Sequence, residues 1–106
     1  MSPTQRALKL LRARGWKVAI TEKWNQFAKV RQDVFGFGDL LAINTNEGEI
    51  ILIQVCAGAS HAARKNKILN IPEAKDWILA GGLILLISFR KNSKGRYNAR
   101  EEYIKI

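Results

Sequence analysis

Two apolar segments joined by a four-residue polar turn constrain the fold of this chain more than any other feature. The first segment, "DLLAIN", covers residues 39–44, and the second, "EIILIQV", covers residues 49–55. The intervening "TNEG" ends in glycine, which is typical of a β-hairpin turn. Both segments are apolar at successive positions, so neither strand has a fully polar face to turn toward water. We therefore expect a β-hairpin in the interior of a sheet.

Predicted helices and strands surround this hairpin. A first helix should run from about Pro3 to Arg14, with Ser2 as its N-cap. The segment "WKVAI" alternates like a strand with one buried face, whereas "TEKWNQFAKVRQDVFGFG" has no clean period and is predicted to be mostly loop. After the hairpin we predict two helices in "SHAARKNKILN" and "IPEAKDWILAGG", a buried strand in "LILLISF" and an edge strand in "EEYIKI".

This order of elements predicts a single α/β domain that covers residues 1–106. Three sequential strands should form an antiparallel meander, and the long helical connection allows the next strand to run parallel to a neighbour. The sheet would then be mixed and would carry helices on its faces. No segment has the length and apolar character of a membrane span, and the charged N-terminal residues do not resemble a signal peptide.

The charge balance of the chain favours a polyanionic partner. It has 18 Lys and Arg residues against 9 Asp and Glu, for a formal net charge of +9. On so small a domain this field fits nucleic acid best, while the lack of a long basic amphipathic helix speaks against a membrane surface. A basic protein without a specific partner is the alternative. The single cysteine, Cys56, excludes an internal disulfide and a multi-cysteine zinc site, and it fits a reducing cytoplasm.

The hairpin brings three polar side chains to one face, at the end away from its turn. If the turn is centred between positions 46 and 47, paired positions sum to 93, and Asp39 lies opposite Gln54. Cys56 follows on the same face, because side chains repeat every two residues along a strand. A buried aspartate is costly unless it is paired, hydrogen-bonded or bound to a metal ion. Asp39 is therefore either the centre of a site or a strand cap that accepts hydrogen bonds from the backbone or an arginine.

Two other segments carry groups that suit nucleic-acid binding. The predicted loop interleaves cations with aromatic residues, namely Lys23, Trp24, Phe27, Lys29 and Arg31. Cations would contact phosphates and aromatic rings would stack on exposed bases, unless Trp24 and Phe27 only anchor the loop on the core. Arg31 could meet a phosphate or pair with Asp39. The helix in "HAARKNK" adds a second set of cations, which either contact phosphates or form a solvated face: Arg64, Lys65 and Lys67.

Taken together, the order and spacing of these features resemble the PD-(D/E)xK nuclease superfamily. The chain is most similar to archaeal Holliday junction resolvases and to small phage-type (VRR-NUC-like) nucleases. The segment "LLRARGWKVAI" resembles their first helix and strand, "FGDLLAI" their aspartate strand, "IILIQVCAG" their third strand and "AGGLILLISFRK" the strand after the crossover helix. The resemblance extends over about residues 5–91 and implies a restriction-endonuclease-like αβββαβ core.

The resemblance also implies a set of site residues. Asp39 stands at the position of the metal-binding aspartate, Gln54 at the second acidic position and Cys56 at the lysine position. Gln5 stands where the first helix of such enzymes often supplies a further acid. The implied ligands of Mg²⁺ or Mn²⁺ are thus Asp39, Gln54 and the backbone carbonyl of Val55, and the implied reaction is hydrolysis of DNA phosphodiester bonds.

Only Asp39 keeps the charge that this motif requires, so other residues would have to replace the missing groups. The candidates follow the first strand or lie on the second helix, and we favour Glu22 and Lys67 over Lys23, Arg64 and Lys65. Symmetric cutting of two strands would require a homodimer. The alternative function is a catalytically inactive nucleic-acid-binding module on the same fold.

Overall fold

The computed structural model describes every residue from Met1 to Ile106 and contains three helices and seven strands. The helices are α1 (Pro3–Ala13), α2 (His61–Leu69) and α3 (Pro72–Leu79), and a short 3₁₀ turn (Gly58–Ser60) precedes α2. The strands are β1 (Lys17–Ile20), β2 (Lys23–Asn25), β3 (Val30–Gln32), β4 (Leu40–Asn44), β5 (Glu49–Ala57), β6 (Leu83–Lys91) and β7 (Tyr97–Tyr103). None of the helices combines the length and the apolar character needed to cross a bilayer.

Five strands form one mixed sheet in the order β1-β4-β5-β6-β7. The pairs β1–β4, β4–β5 and β6–β7 are antiparallel, and β5–β6 is parallel. The predicted meander, the parallel strand after the helical crossover and the mixed α/β class are therefore confirmed. The strongly apolar strand β5 lies at the centre of the sheet, where both of its faces and both of its edges are covered.

The hairpin register agrees with the prediction from the sequence. Leu41 lies opposite Leu52 and Ile43 lies opposite Ile50, so paired positions sum to 93. The backbone N–H of Asp39 donates to the carbonyl of Ile53 at 2.8 Å, which continues the ladder just beyond the start of β4. Asp39 and Gln54 thus face each other across the hairpin, at the end of the sheet where β5 and β6 terminate.

Helices cover both faces of the sheet and form two apolar layers. The α1 helix begins at its predicted cap, where the Ser2 hydroxyl accepts a hydrogen bond from the N–H of Gln5 at 3.2 Å. Its buried side chains, Ala7, Leu8 and Leu11, pack against the face that carries Ile51 and Ile53. Residues of α2 and α3 pack against the opposite face, which carries Leu52, Cys56 and Leu86. Gln54 belongs to this second face because it alternates with Ile53 and Val55.

Three details of the predicted secondary structure were wrong. The segment predicted to be mostly loop contains the β2–β3 hairpin, whose residues are nearly all exposed, so no buried face imposes a period on its sequence. The predicted buried face of β1 is incomplete, because this strand lies at the sheet edge and Ile20 is half-exposed. The last strand begins at Tyr97, earlier than predicted, and it is an edge strand as expected.

Candidate functional site

The carboxylate of Asp39 is buried beside Gln54 at the end of the central hairpin. One of its oxygens, Oδ2, accepts hydrogen bonds from Gln54 Nε2 at 3.1 Å and from the backbone N–H of Val55 at 2.9 Å. Asp39 lies just before the first residue of β4, where the backbone pairing of β4 with β5 stops. Its side chain therefore takes the place of a backbone acceptor for the N–H of Val55. The site and cap interpretations of Asp39 are therefore compatible: Oδ2 caps the strand, and Oδ1 is left for other partners.

Two more acidic side chains converge on Asp39. Oxygen atoms of Glu22, Asp33 and Asp39 all lie within 4.8 Å of one another, and we call these three residues the carboxylate cluster. Glu22 lies close to Asp39 because the preceding residue, Thr21, extends the pairing of β1 with β4. The N–H of Thr21 donates to the Asp39 carbonyl at 3.0 Å, and the Thr21 hydroxyl donates to the Gly38 carbonyl at 2.8 Å. Glu22 was a candidate from the sequence, whereas Asp33 was missed.

A tight turn between residues 34 and 38 brings Asp33 to the cluster. Val34 and Gly38 exchange backbone hydrogen bonds, and Phe35 and Gly36 between them have φ of 56° and 83°. Pairing about Gly36 sets Asp33 opposite Asp39, so the arithmetic used for the central hairpin would also have located Asp33. Gly38 is needed for this close approach, since a Cβ there would lie 2.9 Å from a methyl carbon of Leu52 and 3.2 Å from the Val34 carbonyl oxygen.

Asp39 has the ionisation behaviour of a buried carboxyl group that lies close to a second one. Burial, followed by the hydrogen bond to the Asp33 carboxyl group, raises the pKa of Asp39 from 3.8 to about 7. The hydrogen bonds from Val55 and Gln54 act in the opposite direction and favour the charged form. A proton on Asp39 would remove its repulsion with Asp33, and a cation bound between the two carboxylates would offset that repulsion.

Two neutral oxygen atoms, Oε1 of Gln54 and the carbonyl oxygen of Val55, lie at the same end of the sheet as the carboxylate cluster. Gln54 is 1% exposed, and its Oε1 is a buried side-chain acceptor without a hydrogen-bond partner. The carbonyl of Val55 points to the same side of β5 as its N–H, which is the side of Asp39, because both backbone groups of a strand residue face the same neighbour. Carboxylate, amide and carbonyl oxygens are the ligands that Mg²⁺ and Mn²⁺ prefer. The residues present therefore fit a divalent cation.

Two arginines line the cavity of about 270 Å³ above the cluster, together with Pro3 and Thr4 of α1. Arg31 contacts Glu22 through an ion pair of 2.5 Å, so its acidic partner is Glu22 rather than Asp39. Arg64, in the second turn of α2, lines the cavity with Asp39 and Gln54. Lys67, one turn further along, lines a neighbouring cavity with Asp33 and Gly36. Arg64, not Lys67, is therefore the cation on α2 that lines the Asp39 cavity.

The remaining residues implied by the resemblance lie outside this cavity. Cys56 is buried in the apolar layer beneath α2 and α3, and burial raises the pKa of its thiol although Arg64 lowers it. Gln5 is exposed on α1 and takes part in the helix cap, while its neighbour Thr4 lines the cavity. Lys65 points to the far side of α2, where it forms an ion pair of 2.6 Å with Glu102.

The β2–β3 hairpin presents its aromatic residues to solvent. Trp24 is 60% exposed and Phe27 is fully exposed, so the alternative that they anchor the segment on the core is wrong. The turn that carries Phe27 is ordered by Asn25, whose Oδ1 accepts hydrogen bonds from the N–H groups of Phe27 and Ala28. Lys23 and Lys29 are exposed on the same hairpin, and Trp24 lies opposite Arg31. The hairpin thus combines cations and exposed rings next to the carboxylate cluster.

Comparison with known proteins identified no relative of the chain: neither the family models nor the curated proteins that were searched contain a match.

Proposed function

We propose that this protein is a nucleic-acid-binding protein of the PD-(D/E)xK type that hydrolyses phosphodiester bonds of DNA with Mg²⁺ or Mn²⁺. The observation that carries the proposal is the convergence of Glu22, Asp33 and Asp39 in a basic protein, with arginines lining the same cavity. Three acidic groups would be an unfavourable lining for a phosphate unless a cation lay between them. Their position at the end of the hairpin is also the position that the resemblance implies for a metal site.

Each residue of the site has a role in this proposal. The carboxylate cluster and the carbonyl of Val55 would hold the ion, and Gln54 orients Asp39 through its Nε2 hydrogen bond. A bound divalent ion would acidify a water molecule and offset negative charge on the leaving oxygen. Arg64 supplies the positive charge that Cys56 cannot supply, because a buried thiol with a raised pKa stays neutral. Arg31 would position a phosphate once Glu22 turns to the ion.

The hairpin formed by β2 and β3 would provide a further contact with the nucleic acid. Its exposed rings would stack on unpaired bases, and Lys23 and Lys29 would contact the flanking phosphates. A homodimer in a reducing cytoplasm is the assembly and location that we propose with this function, in keeping with a cysteine that forms no disulfide.

A cleavage assay with an Asp33→Asn variant tests the proposal. Wild-type protein should cut branched, flapped or linear DNA in Mg²⁺ or Mn²⁺ and lose this activity in EDTA, and Asp33→Asn should cut at least about 10-fold more slowly, because the cluster loses a ligand. The matched control is Asp76→Asn, which makes the same change at an exposed position on α3. Equal cleavage by Asp33→Asn and wild type would contradict the assignment.

A catalytically inactive binding module is the second candidate, and the neutral groups at positions 54 and 56 favour it. This module would bind DNA in a salt-dependent manner and would not cut it under any metal condition. The same assay separates the two functions, since binding without turnover supports the module.

The double variant Trp24→Ala/Phe27→Ala tests the role of the hairpin under either function. We expect its affinity for flapped or single-stranded DNA to fall by about 10-fold or more, because each lost base–aromatic stack costs about 1–3 kcal/mol. Affinity for a fully paired duplex should change less. Leu79→Ala, which removes an exposed apolar side chain on α3, serves as the control in the same binding assay. Equal losses on paired and unpaired DNA would argue against stacking.

A further inference from the structure

A second polar cavity lies on the sheet between the end of β6 and the start of β7. It has a volume of about 330 Å³ and contains three cations and no acidic residue in its lining. The residues that matter for its chemistry are Gly58, Ser88, Arg90, Lys91, Asn98 and Arg100. None of them belongs to the carboxylate cluster or to the β2–β3 hairpin.

The positive charge of this cavity is largely uncompensated. Arg90 and Lys91 form no ion pair, and the only acidic partner of Arg100 is Glu102, at 3.8 Å. The carboxylate of Glu102 is already engaged on the α2 side, by Lys65 at 2.6 Å and by His61 at 2.9 Å. These two hydrogen bonds, of which that from Lys65 has the larger effect, lower the pKa of Glu102 and keep it an anion. The cations of the cavity therefore remain available to an external anion.

A buried chain of hydrogen bonds begins at Ser88, which lines the cavity. Ser88 and His61 are each 2% exposed, and the Ser88 hydroxyl lies 2.6 Å from His61 Nδ1. Because an ionised carboxylate only accepts, His61 Nε2 carries the hydrogen that binds Glu102, and in the neutral ring Nδ1 accepts from Ser88. This chain links β6, β7 and α2 and holds the Ser88 side chain in place.

Gly58 determines where the Arg90 side chain can lie. A Cβ at Gly58 would be 3.0 Å from Arg90 Nε and 3.1 Å from Arg90 Cβ, closer than such contacts normally come. The guanidinium stem of Arg90 therefore crosses the end of β5 in the space that the missing side chain leaves open. An alanine at position 58 would push this stem aside by a few tenths of an ångström without changing the charge of the protein.

The cavity and the carboxylate cluster lie on the same face of the sheet and at the same end of its strands. Cys56 is level with Ser88 in the parallel register, and Ser88 lies opposite Arg100, so these side chains point to the same face as Gln54. With strands about 4.8 Å apart and about 3.3 Å per residue, the cavity lies roughly 10–16 Å from Gln54. One strand of a DNA duplex carries a phosphate at every nucleotide, so this distance spans a few nucleotides.

We propose that Arg90 and Arg100 bind a backbone phosphate of the nucleic acid in this cavity, a few nucleotides from the bond that the carboxylate cluster cuts. The inference rests on the nucleic-acid binding of the proposed function and does not require cleavage. Asn98 would add a neutral donor to the phosphate, and the cations would supply the charge that a duplex attracts. The contact would set the position of the DNA backbone on the sheet.

Binding measurements without divalent ions test this site. We expect Arg90→Ala/Arg100→Ala to lower DNA affinity at least about 10-fold and to reduce the slope of log affinity against log salt by about 1–2, as expected for lost phosphate contacts. The control is Lys17→Ala/Lys75→Ala, which removes the same charge from exposed positions on β1 and α3. Gly58→Ala should also weaken binding, although it keeps every charge. Equal effects of the two double variants, with no effect of Gly58→Ala, would overturn the site.

A series of DNA ligands, each with one neutral methylphosphonate, then locates the phosphate. A methylphosphonate at one position should weaken binding to the wild-type protein several-fold. The same ligand should bind Arg90→Ala/Arg100→Ala no more weakly than unmodified DNA does. If the methylphosphonate and the arginine substitutions weaken binding independently of each other, the contact is contradicted.

Titration with inorganic phosphate tests whether the site binds a free anion instead of a DNA phosphate. If Arg90 and Arg100 are needed for binding of inorganic phosphate but not of DNA, the site takes free anions and the proposal fails. A wild-type protein that binds but never cuts would overturn hydrolysis alone.

Discussion

Replacing Asp39 with asparagine should abolish metal-dependent cleavage of DNA and at the same time stabilise the metal-free protein. Cleavage should fall at least about 100-fold, because the cluster loses the carboxylate that both strands of the hairpin hold in place. An asparagine oxygen can still accept the hydrogen bonds from Gln54 and Val55, so the backbone geometry is kept. The free energy of unfolding at pH 7 should rise by about 1–3 kcal/mol, since burial and the adjacent Asp33 disfavour the charge of Asp39.

The pH dependence of wild-type stability follows from the same carboxyl group. Folded Asp39 holds its proton up to about pH 7, whereas in the unfolded chain it releases the proton near 3.8. Between these values the folded protein binds more protons than the unfolded chain, so the contribution of Asp39 to stability falls as the pH rises. In Asp39→Asn this contribution should be absent, and denaturant unfolding at pH 4, 5.5 and 7 in EDTA measures the difference.

The control for both measurements is Asp76→Asn, which should leave cleavage and the pH dependence unchanged. An Asp39→Asn protein that still cuts DNA would exclude the carboxylate cluster as the site of hydrolysis. An unchanged or lower stability of this variant at pH 7 would instead contradict the raised pKa of Asp39. The two readouts are independent, so a structural role and a role in the reaction can be separated.

Gln54→Glu should make the stability of the protein depend strongly on a divalent cation. A fourth carboxylate would then lie beside Asp39 at a position that is 1% exposed, without the Nε2 hydrogen bond that now orients Asp39. In EDTA we expect the free energy of unfolding to fall by about 3–5 kcal/mol, as for other uncompensated buried charges. Mn²⁺ at about 100 times its dissociation constant should recover about 2.7 kcal/mol of this loss.

Thermal or denaturant unfolding with and without Mn²⁺ measures this effect, and Gln54→Leu is the matched control. Leucine also removes the hydrogen bond to Asp39 but adds no charge, so its stability should not respond more to Mn²⁺ than that of wild type. A Gln54→Glu protein that is destabilised and gains nothing from Mn²⁺ would show that the cluster cannot enclose a cation, which favours the inactive binding module. Cleavage gained by Gln54→Glu alone would show that Arg64 suffices as the cation of the site.

Much of the fold was predictable, because it depends on local patterns. The apolar segments around "TNEG" define the hairpin, and the short turn leaves few registers, so the pairing of Asp39 with Gln54 follows from counting residues. The helical crossover between β5 and β6 likewise implies their parallel arrangement. The β2–β3 hairpin escaped prediction because its strands are exposed on both faces, and the hydrophobic periodicity that reveals other strands is absent there.

The sequence by itself determined the central hairpin, the apolar strands beside it and the strong positive charge of this protein. Only the tertiary structure decided which side chains from distant segments join Asp39. Asp33 could have been located by counting across the turn at Gly36, but Glu22 comes from a separate segment whose approach depends on the pairing of β1 with β4. The choice of Arg64 over Lys67 depends on the direction in which α2 leaves β5. Local spacing determines contacts within a hairpin, but contacts between separate segments depend on three-dimensional packing, which no local pattern encodes.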